Sequence, residues 1–146
     1  VPVLDVNDQA FVARPPAAVR SDPDGPCGPA RWVPGLGLAV VVDRGEEGLL
    51  WRAAARDPGG RGWAGTAEVW LEAWHDGTVV HLYVRLDPAP DLRPGLRPDL
   101  GPDPPGARAV ARWREALRDR WRAAFLAWRR DVDGWRRAGE RAHCAP

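Results

Sequence analysis

Lysine is absent from this 146-residue chain, so all 21 of its basic residues are arginine. Alanine, glycine and proline are abundant beside it, which reads as a coding bias; the arginine content by itself is therefore no phosphate-binding adaptation. Cysteine is scarce: Cys27 lies in a Pro/Gly loop and Cys144 two residues from the end. Two free thiols in a reducing cytosol is the expectation, since a bridge would need both loose segments to converge. Cys144 stands beside His143, but no second ligand pair follows at a metal-binding spacing, so no metal and no cofactor are expected. No apolar run is long enough to span a bilayer, and no basic region followed by an apolar one opens the chain. The expectation is a cytoplasmic protein without a membrane partner. Also missing are a Ser-His-Asp set, a Gly-rich phosphate loop and paired carboxylates of recognisable spacing.

What is present is globular in character, with 45% hydrophobic and 28% charged residues. The length suits one domain, 1–146, with a real core. Gly and Pro, 16 of each, call for many turns. The strongest pattern lies in the last third: Val110, Trp113, Leu117, Trp121, Ala124, Phe125, Trp128, Val132 and Trp135 recur in steps of three and four. That spacing predicts one buried face on a helix over 107–139, about 50 Å long, with Gly134 inviting a bend near its end.

Upstream the pattern is strands and turns. Val3 to Val12 reads as a strand stopped by Pro15-Pro16, and Pro15 to about Arg20 as a short helix, proline being tolerated in a first turn. Ala30-Arg31-Trp32 suggests a second short turn of helix. A strand with Leu36, Leu38, Val40 and Val42 on one face follows, then Gly48 to Arg56 with Leu49, Trp51, Ala53 and Ala55 on one face. After the turn Asp57-Pro58-Gly59-Gly60, Gly62 to His75 alternates Ala67, Val69, Leu71 and Ala73 with Thr66, Glu68, Trp70, Glu72 and Trp74. His75-Asp76-Gly77-Thr78 reads as a hairpin turn built on Asp-Gly. Val79 to Asp87 returns with Val80, Leu82, Val84 and Leu86 opposite Val79, His81, Tyr83 and Arg85. The meander implies an antiparallel sheet of about five to six strands. Residues 88–106 carry proline too often for helix or ladder and form a proline-rich loop.

A strand, two short helices, an antiparallel meander and one long C-terminal helix make the helix-grip order, an α+β arrangement. Several stretches resemble the polyketide cyclase/dehydrase branch of the START-like (SRPBCC) superfamily as it occurs in actinobacteria. They are Phe11 to Val19, Ala30-Arg31-Trp32 with Pro34-Gly35-Leu36, Asp43-Arg44-Gly45, Gly48-Leu49-Leu50-Trp51, Gly65 to Glu72, Gly77 to Pro88 and the Arg/Trp-rich end helix. The chain departs from that pattern where Pro23, Pro26 and Pro29 break the region of the two helices, and in its proline arm. The resemblance implies a sheet wrapped around the helix, with a small apolar ligand (aromatic, polyketide-like or lipid-like) held between them. Its lining would be Trp113, Leu117, Trp121, Phe125 and Trp128 from the helix, and Trp51, Val69, Leu71, Leu82 and Val84 from the strands, with Trp32 near the mouth. Large aromatics suit a flat ligand, and they serve equally to fill a core.

An enzyme of the cyclase/dehydrase kind is the alternative reading, with catalytic residues unknown. The candidates His75, His81, Tyr83, Arg52, Glu68 and Glu72 fall in turns or on strand faces opposite the apolar ones. Glu68 and Arg52 are placed for an outer cross-strand ion pair. Trp70 and Trp74 would form an exposed aromatic patch, open to a third reading as an interaction module or a homodimer contact, or to cover by the proline arm. Residues 107–146 carry 11 arginines against 5 acids, and residues 1–106 carry 10 against 15. Arg108, Arg112, Arg118, Arg122, Arg129, Arg136 and Arg137 line one side of the end helix, but the acids that interrupt them favour a solvated face over a nucleic-acid partner.

Overall fold

The structure, a computed structural model, describes residues 3–33, 35–89 and 106–143, with the side chains of the last helix described to 133. The proline-rich loop between Ala89 and Gly106, Trp135 as a side chain, and Cys144 lie outside the described residues. Five strands form one antiparallel sheet: β1 Leu4–Val12, β2 Gly37–Asp43, β3 Gly48–Arg56, β4 Gly62–Trp74 and β5 Gly77–Pro88. Between β1 and β2 lie a short helix, α1 (Pro16–Ser21), and a 3-10 turn, Pro29–Arg31; α2 (Ala107–His143) completes the chain. This is the helix-grip α+β fold.

The sheet order is β1-β5-β4-β3-β2. Strands β2 to β5 are the meander that the turn chemistry requires, and β1 closes beside β5, where Leu4 faces Leu86 and Val12 faces Thr78. Alternation divides the sheet cleanly. Leu4, Val6 and Val12, then Leu49, Trp51 and Ala53, then Trp63, Ala67, Val69 and Leu71, then Val80, Leu82, Val84 and Leu86 are all buried on the inner face. On that face lies α2, whose Trp121, Phe125, Trp128 and Val132 are buried and whose Val110, Trp113, Leu117 and Ala124 pack beside them. The helix runs along β1 in the same direction: Arg114 donates to the Val3 carbonyl at 3.2 Å, and Arg122 reaches Asp8 at 3.4 Å.

Local deviations from the sequence pattern have identifiable causes. In β2 a bulge falls between Val40 and Val42, so Val40 pairs with Trp51 but Val42 with Leu50, on the opposite face. The four-residue alternation expected from Leu36 to Val42 is therefore broken at Val41, and β2 is an exposed edge with Val40 at 58% exposure. The β4–β5 hairpin turns on His75-Asp76, one residue earlier than an Asp-Gly turn, because Gly77 already pairs with Trp74. His75 takes the positive φ of 52° instead. Gly77 is needed inside the strand: a Cβ there would lie 2.5 Å from the Phe11 ring and 2.4 Å from the Val12 carbonyl oxygen. The last helix continues through Gly134 and Gly139 to His143, four residues beyond the expected stop. Pro88, expected in the loop, ends β5 opposite Trp63, an edge-of-strand place that proline tolerates.

Candidate functional site

The space between the inner sheet face and α2 is furnished almost wholly by aromatic and branched aliphatic side chains. Near the start of the helix, Trp113 meets Trp63 of β4 with ring centroids 5.3 Å apart. Near its middle, Trp121, Phe125 and Trp128 gather around Trp32, which arrives from the loop between α1 and β2. Trp32 and Trp121 form a T-shaped pair at 6.0 Å, and Trp32 lies 5.9 Å from Phe125 and 6.3 Å from Trp128, while Phe125 and Trp128 stack at 6.1 Å. Aromatic pairs at such separations contribute about 0.5–1.5 kcal/mol each beyond burial. The cluster therefore joins the middle of the helix to an otherwise irregular loop.

Polar groups hold that loop in place. Asp22, just after α1, accepts from the Trp128 indole N–H at 2.9 Å, from Arg14 at 3.3 Å and from the Asp24 backbone N–H at 3.0 Å. The Trp32 indole N–H donates to the Asp24 carbonyl at 3.0 Å. Val19, Pro26 and Val33 are fully buried beneath the loop. Proline recurrence at 23, 26 and 29 prevents a longer helix here, and these bonds supply the order that regular structure would otherwise provide.

Each residue expected to line the ligand space stands in this interior. Trp32, Trp51, Val69, Leu71, Leu82, Val84, Trp121 and Phe125 are buried, and Trp113 and Leu117 pack against them. Trp32, expected near a mouth, is buried in contact with three helix aromatics. Two polar features of the interior were not anticipated. Asp8 shares the inner face with Val6, Ala10 and Val12, opposite Leu82, and pairs with Arg122. The apolar alternation on either side of it was a readable signal of that placement. The second is the Trp121 indole N–H, which is buried and has no hydrogen-bond acceptor among the described residues. A buried donor left unmet costs about 1–3 kcal/mol.

The other candidates sit outside the interior. His81, Tyr83, Glu68, Glu72 and Arg52 alternate onto the outer face, and His75 is in the hairpin turn. Glu68 pairs with Arg44 rather than Arg52, because the register sets Arg52 opposite Thr66 and Leu50 opposite Glu68. His81 meets Glu72 at 3.1 Å between the rings of Trp70 and Tyr83. Trp70 and Trp74 are half exposed. A hollow of about 640 Å³ opens beside Trp70, edged by Arg44, Glu46, Glu47 and Glu72. These groups form ion pairs and ring contacts on the outer face, away from the space between the sheet and α2.

Cys27 is a free, partly buried thiol, and burial pushes its pKa up to about 11, with the Asp43 charge adding to the rise and Arg20 opposing it. It is therefore no activated nucleophile. Asp43 is held below the usual carboxylate range, first by the Gly45 backbone N–H and then by Arg20. Among the described residues no three His, Cys, Asp or Glu side chains stand together as metal ligands, and no helix is long and apolar enough to cross a membrane.

No protein-family model matches the chain, and no curated protein matches it. Solved structures do. The di-domain aromatase/cyclase StfQ of the steffimycin biosynthetic pathway matches over 90% of this chain at 14% identity and a TM-score of 0.39. The Zhui aromatase/cyclase of a Streptomyces species matches over 90% of this chain and 94% of its own, at 16% identity and a TM-score of 0.47. A Thermus thermophilus protein matches over 88% of this chain and 95% of its own, at 12% identity and a TM-score of 0.43. The chain spans about half of StfQ, 52% of its length.

Proposed function

We propose that this protein binds a small, flat apolar molecule between the inner face of its sheet and α2. The observation that carries the reading is the four-ring cluster of Trp32, Trp121, Phe125 and Trp128. Three of its rings belong to the rigid helix, and the fourth belongs to a proline-broken loop fixed mainly through Asp22 and Asp24. Such a loop yields more readily than a strand, and its withdrawal would open aromatic surface suited to a planar ligand. The rest of the wall is apolar, with Trp51, Trp63 and Trp113 among branched aliphatic side chains, which favours hydrophobic recognition.

A cyclase or dehydrase-type enzyme is the second reading, and Asp8 is the observation in its favour, as a carboxylate on the inner face. One carboxylate already paired with Arg122 does not supply both an acid and a base. Binding is therefore the stronger reading.

The test is calorimetric titration with a panel of flat and lipid-like apolar molecules, 2-ethylnaphthalene among them. The same panel is run on the Trp70→Ala/Trp74→Ala variant. Saturable binding with a negative heat-capacity change, retained in that variant, is the expected result. A folded protein that binds none of the panel, or binding that vanishes with the outer tryptophans, would overturn the reading.

A further inference from the structure

Indole nitrogens give the interior a measurable polarity. The buried rings of Trp32, Trp63 and Trp128 each donate their N–H to an oxygen: the Asp24 carbonyl at 3.0 Å, Asp57 Oδ2 at 3.0 Å and Asp22 Oδ2 at 2.9 Å. Trp121, only 2% exposed, donates to nothing among the described residues. One buried nitrogen on each of His81, Arg114 and Arg129 also lacks a partner there, but those side chains carry further nitrogens. His81 uses its second ring nitrogen on Glu72, and Arg114 uses another nitrogen on the Val3 carbonyl. An indole has a single N–H, so Trp121 has its whole hydrogen-bonding capacity unmet.

Its location gives that donor a use. Trp121 lies on the face of α2 turned to the sheet, one residue before Arg122, which is anchored to Asp8 in the middle of β1. Its ring also stands nearly perpendicular to that of Trp32, at an interplanar angle of 77°. A ligand entering when the Trp32 loop yields would meet this N–H in surroundings where water cannot compete for it. A bond made there discriminates strongly, because a molecule lacking an acceptor leaves the donor unpaired.

We infer that Trp121 is the specificity-determining residue of the interior site, donating its indole N–H to an oxygen acceptor on an otherwise apolar, planar ligand. The class is a ketone, quinone or aryl ether in place of a pure hydrocarbon. This inference rests on the binding reading above and deepens it by naming the polar group the ligand carries.

The experiment compares 2-acetylnaphthalene with 2-ethylnaphthalene, molecules of nearly the same shape that differ in one carbonyl oxygen. Titrations use the full chain and its Trp121→Phe variant, which keeps a ring and removes the N–H. The wild type is expected to prefer the ketone about tenfold, and the variant to bind both equally, a tenfold difference being the usual scale for one buried hydrogen bond. In ¹⁵N-labelled protein, the indole signal that disappears in the variant should move downfield with the ketone and not with the hydrocarbon. Equal binding of both probes by the wild type, with that indole signal unmoved by the ketone, overturns this inference and leaves the binding reading standing. It would assign the N–H to the face of Trp32 as an internal contact. Binding of neither probe to folded protein overturns both.

Discussion

The two faces of one sheet use the same residue type for opposite ends. On the inner face and the elements packed against it, Trp32, Trp51, Trp63, Trp121 and Trp128 are at most 7% exposed. On the outer face, Trp70 and Trp74 are 50% and 53% exposed, with ion pairs and a histidine for neighbours. The strands alternate, so moving one residue along β4 exchanges one environment for the other: Val69 is fully buried and Trp70 half solvated. The difference teaches that tryptophan count alone says little here. What matters is whether the ring has lost water and whether its N–H has found an oxygen.

That contrast breaks most visibly under truncation. Trp128→Ala should cost about 3–5 kcal/mol in chemical denaturation, since it removes a buried ring and leaves Asp22 with one donor fewer. Trp74→Ala should fall within about 1 kcal/mol of wild type, and comparable losses from the two would erase the distinction between the faces. Next in size is Asp22→Ala, expected to cost about 2–3 kcal/mol by unpairing the Trp128 N–H and the Asp24 N–H and removing one partner of Arg14. Trypsin should then cut more readily at Arg31, on the loop that Asp22 holds.

A smaller effect comes from Cys27. Its folded pKa of about 11 lies above the ordinary thiol value, so the native state holds the proton longer than the unfolded chain. Stability from this source is fully present below about pH 8.5 and is lost as pH rises toward 11. The loss should be on the order of 1 kcal/mol after solvent screening, and Cys27→Ser should flatten that part of the stability profile. Smallest of all is the outer pair Arg44–Glu68. A double-mutant cycle should return no more than about 1 kcal/mol, since both side chains are partly solvated.

How much of this was legible in the sequence follows from where the information resides. The helix stripe from Val110 to Val132 and the inner rows of β3, β4 and β5 are periodic, and periodicity reads directly as a buried face. The helix-grip order follows from those elements. The bulge at Val41 was hidden, because a run of three valines carries no mark of which one is left unpaired. The hairpin's true turn was hidden too: Gly77 was needed under the Phe11 ring, a demand from β1 that local turn chemistry does not contain. Arg44 displaced Arg52 as the partner of Glu68 for a similar reason, since register and loop placement decide which arginine arrives. The strand and helix residues proposed to line a ligand space were readable as buried-face positions, which is all that alternation and helical spacing report. Asp8 was readable but passed over, while the bond from Trp128 to Asp22 links residues 106 apart in sequence. The unmet N–H of Trp121 is a property of packing that no local pattern announces.

The central claim is that ligand recognition belongs to the inner face. Its most direct test is the set of indole N–H signals of ¹⁵N-labelled protein, assigned by single Trp→Phe variants and followed during titration with 2-ethylnaphthalene. The account predicts saturable shifts at Trp32 and Trp128, with Trp70 and Trp74 unmoved. Shifts confined to Trp70 and Trp74 would contradict it and move recognition to the outer face of the sheet.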